Sequence, residues 1–141
     1  MQTFDFVIIG AGPAGEAAAY KARSRDASVA IADAGWFGGS CPHIGCLPSK
    51  ALLYAADRHA SGADYPWARA SEHRDFMVNR RLDAEDPDDS SHLHALEEAG
   101  ATALRGRARI AGRGLVEVTG PDGAVTTLGG RNVVVAVGSI S

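Results

Sequence analysis

The chain has little cysteine, little excess charge and no long apolar run, and each of these features excludes a class of protein. Two cysteines among 141 residues are too few for the disulfide framework of a small secreted domain. A net charge of -3 gives no basic surface of the kind that nucleic acids require. No apolar run approaches the roughly 20 residues that cross a bilayer, and the N-terminus lacks the basic residues of a signal peptide. We therefore expect a cytoplasmic globular domain with no nucleic-acid or membrane partner.

Glycine is abundant, with 17 residues, and three of them form a G-x-G-x-x-G pattern, GAGPAG, over residues 10–15. The pattern stands between an apolar run predicted as a strand (residues 4–9) and an alanine-rich helical stretch, and a second strand is predicted over residues 28–33. Such a βαβ unit, with a right-handed crossover, places a pyrophosphate on the helix N-terminus. Asp33 ends the second strand, where an acidic residue accepts hydrogen bonds from a ribose. The pattern alone leaves FAD and NAD both open.

The rest of the chain predicts further helices and strands. Residues 49–59 have helical composition, and residues 61–91 predict a partly helical excursion with an acidic, solvated loop. Ser90 or Ser91 is expected to cap a helix over residues 92–99, with Gly100 as its C′ residue. Strands are predicted over residues 102–104, 107–110, 115–119 and 125–128, with a turn at residues 120–123. A separate apolar strand is predicted over residues 132–137.

Both cysteines lie in one short segment, GGSCPHIGCLPSK, over residues 38–50. A regular helix would separate Cys41 and Cys46 by about 7.5 Å of rise, whereas a disulfide requires Cα atoms roughly 4.4–6.8 Å apart. The prolines and Gly45 predict a distorted helix start, and a helix N-terminus favours a thiolate. A reactive dithiol, half of a metal site and two inert cysteines are the alternatives. Metal is the weaker one, because a structural zinc site needs four ligands and no second cysteine pair exists, so we expect no metal.

This segment resembles the redox-active motif of the class I pyridine nucleotide-disulfide oxidoreductases, a family that includes dihydrolipoamide dehydrogenase, glutathione reductase and mercuric reductase. The GRARIAG and VVVAVGS segments near the end of the chain also fit, so the resemblance covers the whole chain. It implies an α/β, Rossmann-like FAD-binding domain with a central parallel sheet, flanking helices and an inserted β-meander. It also implies electron transfer from NAD(P)H through FAD to a Cys41–Cys46 disulfide, and then to a small-molecule disulfide or thiol substrate.

The resemblance assigns roles to individual residues. Cys41 would be the interchange thiol that attacks the substrate, Cys46 the thiol that lies against the flavin, and Lys50 a neighbour of the flavin's reactive edge. The implied FAD-binding residues are Gly10, Gly12, Pro13, Ala14, Gly15, Asp33, Gly39, Ser40, Cys46, Lys50, Ala108 and Gly138. Ser40 replaces the usual threonine, Pro42-His43 replaces an apolar-Asn pair, and Val137 replaces a threonine, which leaves the substrate open.

The family's remaining parts are expected to be missing. Residues 1–141 would be the first, truncated part of a homodimeric flavoprotein, without its NAD(P)H and dimerisation domains. The dimerisation domain of this family supplies a His-Glu acid-base pair to the partner's active site. An alternative is a catalytically inactive, truncated dinucleotide-binding module, and a self-standing NAD-binding module is disfavoured by the cysteine segment.

Overall fold

Six strands form a single mixed sheet in this computed structural model, which describes residues 1–80 and 87–139. The strands are β1 (Gln2–Ile9), β2 (Val29–Asp33), β3 (Thr102–Arg105), β4 (Arg107–Gly112), β5 (Leu115–Thr119) and β6 (Val125–Val135). Their order is β3-β2-β1-β6-β5-β4. The first four in this order run parallel, and β6, β5 and β4 form an antiparallel meander.

The helices fall into two groups along the chain. In the unit formed by Met1–Gly39 and Asp89–Ser141, α1 (Pro13–Arg23) follows β1 and α5 (Ser90–Glu98) precedes β3. The unit Ser40–Asp88 contains α2 (Ser40–His43), α3 (Cys46–Ala60) and α4 (Trp67–Asn79). None of the helices in residues 1–80 and 87–139 is both long enough and apolar enough to cross a membrane.

The parallel part of the sheet is covered on both faces. Alternate residues of β1 point to opposite sides, so Ile8 packs with α1 and α5, including Ala19 and Leu96. Val7 and Ile9 pack on the other side with Val116 and Val118 of the meander. These layers explain why the last four residues of β1, residues 6–9, are apolar without alternation, as strands buried on both faces are. The predicted α/β fold with a central parallel sheet, flanking helices and an inserted meander is confirmed.

A single residue, Gly106, joins β3 to β4, although these strands stand at opposite ends of the sheet order. The Gly106 N–H donates to the Asp33 carbonyl oxygen at 2.8 Å. A Cβ on Gly106 would lie 2.5 Å from the Thr119 carbonyl oxygen and 2.8 Å from Val118 Cγ1. The absent side chain therefore lets the meander close over the carboxyl end of β2.

The unit Ser40–Asp88 is held by a helix pair. Ala51 and Ala55, one turn apart on α3, and Ala70 on α4 are buried, and these small side chains leave room for the helices to approach closely. Tyr54 makes edge contacts with the rings of Tyr65 (6.1 Å between centroids) and His73 (5.7 Å). Edge-to-face pairs of this kind add to the stabilisation from buried area.

Most predicted elements are confirmed, and three predictions are wrong. Residues 125–128 and 132–137 are one strand, β6, which ends at Val135, because Gly129 and Gly130 continue the strand. The N-cap of α5 is Asp89, with no side-chain cap hydrogen bond, and not Ser90 or Ser91. The helix predicted from residue 49 begins at Cys46. Gly100 follows α5 at φ +82°, as a C′ glycine should. Residues 83–86 of the predicted acidic loop lie outside the described residues.

We expect Gly106→Ala to lower the free energy of unfolding by about 1–3 kcal/mol, the usual cost of overpacking. The added methyl group would meet the Thr119 carbonyl oxygen and Val118. Urea denaturation followed by circular dichroism measures the change. Gly112→Ala in β4 is the matched control, because the nearest atom to its Cβ would be Leu115 Cδ1 at 3.7 Å. Equal stability of the two variants would contradict the tight junction.

Candidate functional site

The predicted glycine turn brings three backbone segments into contact. Gly10 has φ +101°, and a Cβ there would overlap the Ala136 carbonyl group at the end of β6. A Cβ on Gly15 would overlap the Gly10 carbonyl oxygen. Gly12 is the N-cap of α1, with no side-chain hydrogen bond, and Pro13 follows it. The first-turn N–H groups of α1 therefore have no side-chain acceptor and suit an anion.

A second glycine pair packs on this turn. Gly39, at φ +67°, lies so close to Gly12 that a Cβ would be 2.8 Å from the Gly12 Cα. Gly38 donates its N–H to the Ala11 carbonyl oxygen at 2.8 Å. The ring of His92 covers Gly38, and its Nδ1 lies 2.9 Å from Glu16 Oε1. The segment that leads to the cysteines is thus seated on the start of α1.

An ion pair that the sequence did not reveal anchors the same segment. Arg105 donates both to the Asp89 carboxylate, at 2.6 Å, and to the Gly35 carbonyl oxygen, at 2.6 Å. Asp89 also accepts the Phe37 N–H at 2.7 Å. The acidic run that contains Asp89 was interpreted as solvated, and only the fold brings this carboxylate to residues 35–37.

Asp33 holds the end of β2 against the glycine turn. Its Oδ2 accepts the Ala11 N–H at 2.6 Å, and its Oδ1 accepts the Gly35 N–H at 2.7 Å. A carboxylate has about four acceptor sites, so two remain for ribose hydroxyl groups. The two amides fix the orientation of this carboxylate before any ligand arrives.

A cleft of about 490 Å³ opens beside Asp33, at the carboxyl ends of β1, β2 and β6. Ligands of open α/β sheets bind at this edge. The cleft brings together four of the predicted binding residues: Gly10, Asp33, Ala108 and Gly138. The other predicted residues of this unit, Gly12, Pro13, Ala14, Gly15 and Gly39, form the neighbouring turn and the start of α1. A cleft with a fixed carboxylate beside glycine backbone fits the adenosine diphosphate half of a dinucleotide.

The two cysteines meet at the predicted break in the helix. Cys41 lies in α2 and Cys46 begins α3, with Gly45 as the N-cap at φ -116° and ψ -100°. The N–H groups of Ile44 and Gly45 both donate to the Ser40 carbonyl oxygen, at 2.9 Å and 2.8 Å. Both cysteines are free thiols, and Cys46 is near enough to affect the acidity of the Cys41 thiol. The distorted helix start is confirmed, and it brings the two cysteines close together.

The neighbouring Cys46 changes the acidity of the Cys41 thiol. The hydrogen bond to Cys46 raises the pKa of the Cys41 thiol above its usual value, and desolvation raises it further, whereas the positive charge of Lys50 lowers it. The sequence predicts that the helix start favours a thiolate in this cysteine pair, but at Cys41 the effects of Cys46 and desolvation outweigh that influence. Lys50, one turn beyond Cys46 on α3, is near enough to act on Cys41.

A metal site would need at least three His, Cys, Asp or Glu side chains grouped together. Within residues 1–80 and 87–139, the structure shows no such group. The predicted residues instead form two groups. The nucleotide residues lie in the unit of Met1–Gly39 and Asp89–Ser141, and Ser40, Cys41, Cys46 and Lys50 lie in the unit Ser40–Asp88.

We expect Gly45→Ala to slow formation of a Cys41–Cys46 disulfide at least several-fold. The new Cβ would lie 3.1 Å from the Ser40 carbonyl oxygen and 3.6 Å from the Cys41 Cα, so α2 must move away. Mass spectrometry of the protein in glutathione redox buffers measures the rate of disulfide formation and the redox midpoint of the cysteine pair. Gly62→Ala, at the far end of α3 with φ +84° and open space around it, controls for general destabilisation. Equal rates of disulfide formation in the unaltered chain, Gly45→Ala and Gly62→Ala would contradict the prediction.

We expect the pH profile of Cys41 alkylation to shift in opposite directions in two variants. Cys46→Ala removes the acceptor that raises the pKa of Cys41, so its reaction with iodoacetamide should begin at lower pH than in the unaltered chain. Lys50→Met removes the charge that lowers this pKa, so the reaction should begin at higher pH. Site-resolved mass spectrometry quantifies alkylation at Cys41 separately from alkylation at Cys46. Shifts in the same direction would contradict the assigned causes.

Comparisons with known proteins agree with this arrangement. The sequence profile of the family described as pyridine nucleotide-disulphide oxidoreductase matches residues 4–141. Dihydrolipoyl dehydrogenase 3 of Pseudomonas aeruginosa is 32% identical over 99% of this chain and 31% of its own length. Glutathione reductase of Burkholderia cepacia and mercuric reductase of Streptomyces lividans are each 34% identical, over 96% of this chain and 30% of their own lengths.

The fold also matches a solved structure. The Cu(II) complex of RclA, an HOCl-induced flavoprotein disulfide reductase from Escherichia coli, superimposes with a TM-score of 0.74 over 98% of this chain and 29% of that protein, at 24% identity. The chain thus spans about 30% of the length of the curated relatives it matches. With a family match over nearly all of its residues, the chain belongs to the pyridine nucleotide-disulphide oxidoreductases.

Proposed function

We propose that the chain is the FAD-binding and redox-dithiol portion of a flavoprotein disulfide reductase that takes electrons from NAD(P)H. The observation that carries this proposal is the placement of two free cysteines, Cys41 and Cys46, on either side of a broken helix start, near enough for Cys46 to affect the acidity of Cys41. Two thiols held in this way form a disulfide without rebuilding the helix. In the longer enzyme, NAD(P)H-binding and dimerisation domains would complete a homodimer.

The nucleotide-binding half of the proposal rests on the glycine turn and the adjoining cleft. The N-terminus of α1 would take the pyrophosphate, since its amides and dipole favour negative charge. Asp33, held by the Ala11 and Gly35 amides, would accept the ribose hydroxyl groups. Gly10 and Gly138, both with positive φ, would let the backbone approach the cofactor. The backbone of Ala108 would face the adenine.

The dithiol would act by thiol–disulfide exchange. When bound, the flavin supplies two electrons for reduction of the Cys41–Cys46 disulfide. The Cys41 thiolate attacks one sulfur of a substrate disulfide, breaks its S–S bond, and releases the other sulfur as a thiolate that takes up a proton. The Cys46 thiolate then attacks Cys41 in the mixed disulfide and releases the second substrate thiol. The dithiol ends as a disulfide, so its two-electron oxidation balances the two-electron reduction of the substrate.

The raised pKa of Cys41 fits an enzyme that completes its site from another domain. A thiol that holds its proton needs a base, and the acid-base pair that the family resemblance assigns to the dimerisation domain would supply it. Lys50 contributes in the same direction, because its charge favours the thiolate. The substrate would be a small disulfide or thiol, since Cys46 is exposed and Cys41 is only half-buried, so small molecules can reach the pair.

A second candidate function is a nucleotide-binding module without turnover. The observation that favours it is that the cleft and Asp33 lie in the unit Met1–Gly39 and Asp89–Ser141, to which neither cysteine belongs. In this case the chain would retain a nucleotide while its cysteines stay outside the reaction. The two candidates differ in whether Cys46 reaches a bound flavin.

We expect the purified chain, incubated with FAD and desalted, to retain the flavin spectrum. Anaerobic reduction with a stoichiometric dithiol should then add a long-wavelength absorption band, which reports a thiolate beside the flavin. Cys46→Ala should keep the flavin and lose the band, whereas Cys41→Ala should keep both. Retained flavin without the band in the unaltered chain would favour the module without turnover. Loss of flavin on desalting would refute cofactor binding by this chain.

A further inference from the structure

Arg107 is the positively charged residue among those that line the cleft beside Asp33. It begins β4, it is exposed, and it lines the cleft with Asp33, Ala108 and Gly138. Within the described residues 1–80 and 87–139, its guanidinium group has no hydrogen-bond acceptor and no acidic partner. A polar side chain that borders a cleft and has no protein partner is available to a ligand.

The neighbouring arginines differ from it. Arg105 is paired with Asp89, and Arg109 is paired with Glu117, its cross-strand neighbour in the antiparallel ladder. The cross-strand neighbour of Arg107 is Thr119, which carries no charge. Three basic residues thus alternate along residues 105–109, and the one that borders the cleft is the one without an acidic partner.

The position of Arg107 points to one part of a nucleotide. Phosphates belong at the start of α1, around Gly12 and Gly15, and none of the residues at that helix start borders the cleft beside Arg107. Asp33 marks the ribose, because the acidic residue at the end of the second strand serves that group. The chain from Gly106 to Ala108 lies on the cleft wall together with Asp33. Of the three parts of a nucleotide, the base is therefore the one left to lie against this wall of the cleft.

We infer that Arg107 is a cofactor-binding residue that stacks its guanidinium group on the purine ring of the bound nucleotide. This inference rests on the proposed function of the cleft and adds to it a side chain that selects a purine base. A guanidinium group is planar and can stack flat on an aromatic ring, whereas an ammonium group is a compact, strongly hydrated charge without a plane. Such contacts stabilise a complex modestly at exposed sites and more strongly when the cation is shielded from water.

A phosphate contact is the competing role for this arginine. Arginine accommodates the 2′-phosphate in some dinucleotide-binding folds. Here the Asp33 carboxylate lies in the same cleft, and its negative charge would repel a phosphate at the ribose 2′ position. The two roles also predict different behaviour of a lysine variant, since lysine keeps the charge and loses the plane.

Calorimetric titration of the complete chain with ADP, UDP and inorganic pyrophosphate tests the inference. The unaltered chain should bind ADP more tightly than UDP. Arg107→Gln should weaken ADP binding about tenfold and leave UDP and pyrophosphate binding unchanged, and Arg107→Lys should not restore ADP binding. Arg109→Gln is the matched control, because it lies two residues away on the same strand and should bind ADP as the unaltered chain does.

The alternative outcomes are distinct. Equal losses for ADP, UDP and pyrophosphate, or recovery in Arg107→Lys, would show a charge contact with phosphate and overturn the inference while the proposed cleft stands. An unchanged ADP affinity in Arg107→Gln would also overturn the inference and leave the proposed function standing. Failure of the unaltered chain to bind either ADP or FAD would overturn both the inference and the proposed function. Melting curves by circular dichroism establish that each variant is folded.

Discussion

Backbone contacts between glycines determine how closely the first helix approaches the sheet. A Cβ at Gly15 would overlap the Gly10 carbonyl oxygen, and a Cβ at Gly10 would overlap the Ala136 carbonyl group directly after β6. The end of β1, the start of α1 and the end of β6 therefore meet without side chains between them. The orientation of Asp33 on the Ala11 amide and the packing of Gly39 on Gly12 both require this approach. The cleft and the anion site exist because these positions carry no Cβ.

The local parts of the fold could be predicted from the sequence. The βαβ unit has an apolar run, a glycine turn and a helix in direct succession, so each signal supports the next. The prediction fails where tertiary contacts override a local signal. The sequence predicts two strands, over residues 125–128 and 132–137, but Gly130 lies inside the single strand β6, and the absence of a Cβ there avoids an approach of 2.9 Å to Val7 Cγ2. The glycine that indicates a break in a lone segment serves close packing in the folded chain.

The candidate site divides in the same way. The glycine turn, Asp33 and the cysteine pair could be predicted, since spacing along the chain already places them at strand and helix ends. Asp89, Arg105 and Arg107 could not, because charged residues in loops and short strands are usually solvated. Their roles depend on which segment the fold brings to them, and a single sequence holds no record of that. The raised pKa of Cys41 likewise needs the neighbouring sulfur to be placed first.

The pairing of β1 with β6 has a consequence for how the chain acquires its structure. Gln2 pairs with Leu128, and every further pair in this ladder is equally distant along the chain. The loop-closure entropy of so distant a contact must be overcome before the pairing gives any stabilisation. During synthesis, β1 is made before β6 and waits for this neighbour until some 120 residues have followed. Until then one edge of β1 is unpaired, so the nascent chain is exposed to wrong strand pairing while those residues are made.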